Sequence, residues 1–510
     1  MKKLLLFASV LCGLTVAAGN QVKVIDLSWS NPTVDFLQRN LAAMEKDSPL
    51  DGLCIRVRGD RVTRNGRKYF AADCAWTNTK LEFKNFAKDV AALKKIPFKK
   101  FTDNFYYSTT YYYDLDWHDD AGWKTATDNF GVIARVCREA GLKGILFDLE
   151  EYRKEFWDYW KFINPAKDYK TTAATVYKRG QQWGKAVFGN YPEITLFMPY
   201  MFSMYDRSLG AYFINGIISV MPPAARIIEG YEPDSYDAKK PEDYRTIAAK
   251  FYKNAKRCSS PENRAKYMAQ VELAPGFYMD AIIKKKKFEE LKKQCGGVNN
   301  FMRRNIAGAL EETRSYIWLY SEAGCWWKKS VHPQAKKTWD EMAPGIGKTI
   351  RENVSPVIVA SSENLLKDPD MKGNGGWNPW QLENKKKGYH TGTIKIGGGK
   401  AVFKNVQRGC IAQTVNVKPG DYYRFQFRGV NSSRGSAGGS IAFRDKDGKW
   451  LDVIYNYPVP MPDTGKFENV SHLVTVPPGA YKMSVQLSGS NQGVGDTGEV
   501  VFTGAQLIKY

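Results

Sequence analysis

The sequence predicts an α/β protein: a (β/α)8 barrel followed by an all-β jelly-roll sandwich. Three observations carry this. Over roughly the first two-thirds, short apolar runs alternate with amphipathic helix-like runs, as units of a parallel sheet do. Near Ile350 the texture changes to short alternating runs between Gly, Asn and Pro clusters. And at 510 residues the chain is too long for one ordinary domain.

Residues 1–18 read as a signal peptide. Lys2 and Lys3 precede an apolar run from Leu4 to Val16, and Val16-Ala17-Ala18 precede Gly19, which predicts cleavage after Ala18. Cys12 follows Leu11, a residue too large for a lipoprotein signal, so no lipid anchor is expected. No later stretch has the length of a membrane helix. The chain is therefore expected in the periplasm or outside the cell.

The barrel is expected over 19–354. Its strands are predicted at 22–29, 52–58, 101–107, 144–148, 194–199, 216–221, 267–273 and 315–320. Helices lie between them: Asn31-Pro32-Thr33 opens one with Pro in the first turn, and others cover 129–140, 172–188 and 241–257. Residues 355–363 read as a linker. From Asn364 to Tyr510 the alternating runs at 411–415, 423–427, 481–487 and 500–503 predict the sandwich.

Composition narrows the function. Seven cysteines remain after the signal, scattered and without a C-x-x-C pair, which argues against a disulfide scaffold and against zinc. Cys54 and Cys137 lie in apolar patterns and read as core; a Cys258–Cys295 bridge stays open. The net charge of +22 is mostly Lys in helix-like runs, a pattern of solvated faces and not of a nucleic-acid surface. Four His, none paired, discount a metal site at His118-Asp119-Asp120. No cofactor is expected, although the sandwich would accommodate a structural Ca2+.

The centre of the reading is Gly144-Ile145-Leu146-Phe147-Asp148-Leu149-Glu150-Glu151-Tyr152. A strand apolar on both faces ends in carboxylates, and strand C-termini face the catalytic mouth of a parallel barrel. Asp148 and Glu150, two apart, point the same way in extended chain, and their repulsion holds a proton near neutral pH. Other acids expected at strand ends are Asp103, Glu272 and Glu322, with Glu232 in the loop after strand six. Glycoside hydrolysis generally needs two such groups across the scissile bond, or one acid with the substrate as nucleophile. Glu150 is the expected acid, Asp148 the group that tunes it, and Glu322 or Glu272 the nucleophile or base. Trp117, Trp123 and Trp326 share the same loops, where Trp and Tyr faces suit sugar rings. Asp103, Glu232 and Tyr320 are further expected substrate contacts, and Trp377 and Trp380 could stack on sugar in the sandwich.

Gly144-Ile145-Leu146-Phe147-Asp148-Leu149-Glu150 resembles the strand-four motif of chitinase-type glycosidases, in which the last Asp-x-Glu carries catalysis. The resemblance implies Glu150 as acid, Asp148 as supporting carboxylate and Trp318 as a sugar-floor tryptophan. The chain departs from the motif at Lys143 and Leu146, where further acids stand, which bears on a substrate-assisted mechanism. Residues 363–371, with Trp377 and Trp380, look like the opening of a galactose-binding-like carbohydrate-binding module, and Phe502-Thr503-Gly504-Ala505-Gln506-Leu507 looks like its last strand. The expectation is a secreted glycoside hydrolase acting on a complex host mucin-type or plant glycan. The rival is a glycan-binding or adhesion protein using the same cleft without catalysis. Neither needs nucleic acid or membrane insertion.

Overall fold

In the computed structural model the residues described are 22–108, 115–150, 156–162, 167–202, 209–313, 315–328, 335–354, 363–382, 392–451, 456–461, 465–490, 492 and 496–509. The first part is built on one all-parallel sheet. Its strands are β1 (Lys23–Asp26), β2 (Gly52–Ile55), β3 (Phe105–Ser108), β4 (Gly144–Phe147), β5 (Thr195–Met198), β6 (Arg226–Glu229), β7 (Val271–Leu273), β8 (Gly276–Tyr278) and β9 (Tyr316–Tyr320). The order is β8-β9-β1-β2-β3-β4-β5-β6-β7, so the two edges are halves of a single segment, broken only at Ala274-Pro275. That break bridges the edges: the Ala274 N–H donates to Glu229 O at 2.9 Å, and Pro275 O accepts from the Trp318 N–H at 3.2 Å. The sheet curls as an α/β barrel does.

Side-chain alternation sorts the barrel into two cores. Ile25, Cys54, Phe105, Leu146, Phe197, Ile228 and Trp318 fill the inside. Their neighbours Val24, Ile145, Leu196, Ile227 and Ile317 pack outward under the helices. Trp318 is the largest piece of the inner filling. Its indole N–H reaches Ala274 O at 2.8 Å and Gly230 O at 3.1 Å. A Cβ on Gly276 would stand 2.3 Å from its ring, so only glycine lets the broken strand close over it.

Three sequence expectations are corrected here. The sixth strand is not 216–221. That stretch belongs to helix α1 (Leu209–Val220), and the strand is β6. The helix lies against α2 (Tyr169–Asn190), where a Cβ on Gly216 would meet Tyr177 O at 2.1 Å. A helix buried almost all round shows no polar face, so its apolar run mimics a buried strand. The seventh strand is shorter than 267–273, because Arg264–Gln270 is helical. The third begins at Phe105, after Asp103. The Cys258–Cys295 pairing left open by the sequence is not formed: both are free thiols, and the Arg304 guanidinium donates to the Cys295 sulfur.

The second part is two five-stranded antiparallel sheets. One runs β10 (Asn378–Gln381), β13 (Gly409–Asn416), β18 (Lys482–Ser490), β15 (Ser436–Arg444), β16 (Tyr457–Pro460). The other runs β11 (Thr393–Gly397), β12 (Lys400–Lys404), β19 (Val500–Lys509), β14 (Tyr422–Asn431), β17 (Glu468–Thr475). Phe403, Phe425, Phe427, Phe443 and Phe502 meet in their common core. The expected linker lies outside the described residues except for Glu363.

Candidate active site

The carboxyl ends of β4, β5 and β6 bring three carboxylates and a phenol together. Leu146 points into the barrel, so two residues on, past the strand end, Asp148 turns to the same side. Asp148 Oδ1 accepts the Glu150 backbone N–H at 2.9 Å, which fixes the two acids in one local turn. From β5 comes Tyr200, two residues past Met198. From β6 comes Glu232, swung inward by Tyr231, whose φ of 47° is left-handed. The Tyr200 hydroxyl lies 2.7 Å from Glu232 Oε1 and 3.4 Å from Glu150 Oε1. One hydroxyl within reach of both bounds those oxygens at about 6 Å apart, on the scale of a catalytic carboxylate pair.

Crowding acids at a dry strand end decides where protons sit. Desolvation pushes the Glu232 carboxyl up to about 8; the Asp148 and Glu150 charges add to this, and the Tyr200 hydrogen bond offsets part of it. Desolvation lifts Asp148 to about 7, with the Glu150 charge pushing the same way and the Glu150 N–H opposing. The Tyr200 phenol is raised by burial and by both glutamates, so it keeps its proton. Near neutral pH Glu232 therefore keeps its proton, while Asp148 is close to its own midpoint.

Beneath and beside it is a ring of aromatics. Tyr236 packs on Trp318 (5.6 Å between centroids), on Tyr320 (5.4 Å) and on Tyr278 (4.8 Å). Trp318 is fully covered, so it supports Tyr236 and does not itself meet a ligand. The Tyr320 hydroxyl donates to Glu322 Oε1 at 3.2 Å, and Asp280 Oδ2 holds the Glu322 N–H at 2.7 Å. Burial raises the Tyr278 phenol, and its hydrogen bond to Glu322 and the charges of Glu322, Asp280 and Glu232 raise it further. Glu322 thus stands in the same mouth, one aromatic layer from Glu232.

Asp103 and Glu272 stand elsewhere. Asp103 precedes its strand and pairs with Lys23, while the Tyr316 hydroxyl donates to it at 2.8 Å. Glu272 pairs with Arg226, the first residue of β6. Both line a cavity of about 680 Å³ at the amino ends of the strands. The rings of Phe105, Phe197 and Tyr316, 5.7–6.1 Å apart, fill the barrel at that end. A carboxylate there faces away from Glu150.

The expected exposed faces of Trp117, Trp123 and Trp326 are also corrected, since all three are buried. Trp117 and Trp123 stack at 4.9 Å and spend their N–H groups on Phe156 O and Asp116 O. Trp377 is buried with its N–H on Asp368 O, whereas Trp380 on the edge strand β10 is 50% exposed. The tyrosines 111–113 and residues 151–155 fall outside the described residues. Tyr200 and Tyr236 were missed at the sequence level; the only signal was that Tyr200 directly follows a strand end. Among the described residues no group of three or more His, Cys, Asp or Glu is arranged to hold a metal, and no helix is long and apolar enough to cross a membrane.

No protein-family profile matches the chain, and no curated protein does. Among solved structures, the enzymatically active domain of bacteriophage CBA120 tailspike protein 4 aligns over 39% of this chain and only 25% of its own, at 16% identity and TM-score 0.24. A Paenibacillus sp. cycloisomaltooligosaccharide glucanotransferase, solved with cycloisomaltoheptaose, aligns over 96% of this chain and 57% of its own, at 10% identity and TM-score 0.26. The C-terminal family 22 carbohydrate-binding module of Clostridium thermocellum Xyn10B aligns over 29% of this chain and 94% of its own, at 14% identity and TM-score 0.22. Scores this low carry no argument about activity.

Proposed function

We propose that the chain is an exported glycoside hydrolase whose reaction runs between Glu232 and Glu150. The observation that carries this is the Tyr200 hydroxyl shared between those two carboxylates at the mouth of a parallel barrel. Glu232, proton-loaded near neutral pH, protonates the glycosidic oxygen as the bond to the anomeric carbon breaks. Glu150 attacks that carbon from the opposite side. Water, deprotonated by the now ionised Glu232, then releases the sugar and restores Glu150. A separation of about 6 Å or less suits this two-step route, with retention of anomeric configuration, better than a one-step inversion. Asp148 holds Glu150 through its backbone N–H, and its raised affinity for a proton reduces the negative charge beside Glu150. This reverses the sequence expectation, which made Glu150 the acid. The test is reducing-sugar release from mucin, host and plant glycans, followed by NMR of the first product. A retained anomer supports the assignment, an inverted one rejects it, and a panel left uncut favours the binding rival.

The sandwich, taken as 364–510, serves in this reading as a carbohydrate-binding module with Trp380 as its stacking face. The support is a half-exposed indole on an edge strand over an otherwise well-filled core. The isolated fragment is expected to fold and to be retarded in gels containing the cleaved polysaccharide, and Trp380→Ala is expected to migrate freely. A folded fragment that migrates alike in gels with and without polysaccharide removes the role.

A further inference from the structure

The carboxyl end of the barrel carries two exposed tryptophans, one of them at the head of a contiguous row of aromatic rings. Trp160 is 77% exposed in the short helix Tyr159–Phe162 that follows β4. Its base is held firmly. Just before it, the Trp157 indole donates to Leu149 O at 3.2 Å, and Phe156 O accepts from the Trp117 indole at 3.1 Å. Leu149 is the residue between Asp148 and Glu150, so a hydrogen bond ties the base of the platform to the turn that carries two of the candidate acids. Beyond Trp160 the rings continue edge to face: Tyr159 at 5.1 Å, Tyr169 at 5.1 Å from Tyr159, and Tyr212 at 6.1 Å from Tyr169. Tyr169 opens α2 and Tyr212 lies in the first turn of α1. Helix amino ends in such a barrel lie at the carboxyl ends of the strands, so this row borders the mouth beside β4 and β5.

The second tryptophan stands across from it. Trp29 follows β1, is 39% exposed, and its backbone N–H donates to Ser321 O just past β9. With β7 and β8 counted as one stave, β1 lies three places around a ring of eight from β4, which Trp160 follows, and four from β5, beside which the tyrosine row ends. The three carboxylates follow β4 and β6 at the same carboxyl ends of the strands. We infer that the platforms stack sugar rings on both sides of the cleavage point, so that the chain takes an internal stretch of a polysaccharide and cuts within it. This rests on the catalytic reading above and specifies its substrate. A site that took only a chain end would need stacking on one side.

The experiment is kinetics on a size series, from an aryl glycoside through oligosaccharides to the polymer, for the full chain and for Trp160→Ala, Trp160→Phe and Trp29→Ala. The loss in kcat/KM from Trp160→Ala is expected to grow with substrate length, reaching about tenfold on the polymer, and Trp160→Phe to restore most of it. Viscosity should fall early, with mixed oligosaccharides as first products. Monosaccharide as the sole product, or a penalty equal at every length, overturns the inference while leaving the catalytic assignment intact. If nothing is cut, the catalytic assignment falls. The platforms are then judged by polysaccharide-gel retardation of the full chain carrying Trp380→Ala, which Trp160→Ala must abolish.

Discussion

Replacing Glu232 with glutamine is expected to lower kcat by about 10²–10⁴ on natural glycosides, because it removes the proton given to the departing oxygen. The loss should be much smaller on a dinitrophenyl glycoside, whose leaving group needs no proton. Glu150→Ala is expected to fail on both substrates and to regain turnover with azide, which takes the nucleophile's place as a glycosyl azide forms. If Glu150→Ala keeps the activated substrate and Glu232→Gln does not, the two roles are exchanged. The alkaline limb of the wild-type profile should fall near pH 8, where Glu232 loses its proton. Stability follows with a definite sign. Glu232 and Asp148 are held above their usual values of 4.5 and 3.8, so the fold binds more protons than the unfolded chain from about pH 4 to pH 8. Stability contributed by those protons is complete below about pH 4 and lost as pH rises through 7 and 8. Glu232→Gln should therefore be more stable than wild type at pH 9, by on the order of 2 kcal/mol, and close to it at pH 4. Identical melting curves at both pH values would remove the claim that Glu232 is buried at a cost.

Trp318→Ala is expected to be the most damaging single change in the barrel, costing about 3–5 kcal/mol by urea denaturation. The indole is fully covered and fills the space where the split stave meets β9. Removing it opens a cavity against Gly276 and Gly230, both already as close to the ring as glycine permits. It also leaves Gly230 O and Ala274 O without the indole donor each now accepts. Activity should fall further than stability alone explains, because Tyr236 loses its floor and Glu232 lies next to Tyr236. A loss below about 1 kcal/mol would mean that the break at Ala274-Pro275 is held by its backbone bonds alone.

The chain's own order determined much of this. Apolar runs bounded by Gly and Pro marked the strands around Val24, Leu53, Ile145, Leu196 and Ile317, since a strand buried on both faces must be apolar at every position. Asp148 and Glu150 stood out for the same reason, as charges ending such a run. The switch to alternating runs announced the sandwich. The sixth strand was lost because Leu209–Val220 is buried almost all round, Tyr212 excepted, and burial on nearly every face erases the period that separates helix from strand. The pairing of acids was decided only by the tertiary structure. Glu272 lies inside a short strand and Glu232 beyond one, but which end of the barrel each faces depends on where those strands begin, a matter of one or two residues. Arg226 draws Glu272 to the amino end, and the left-handed turn at Tyr231 turns Glu232 toward Tyr200. Local pattern reports what a segment buries; which two charges come to share one hydroxyl is set by the closure of the sheet, which joins residues 50 apart in sequence.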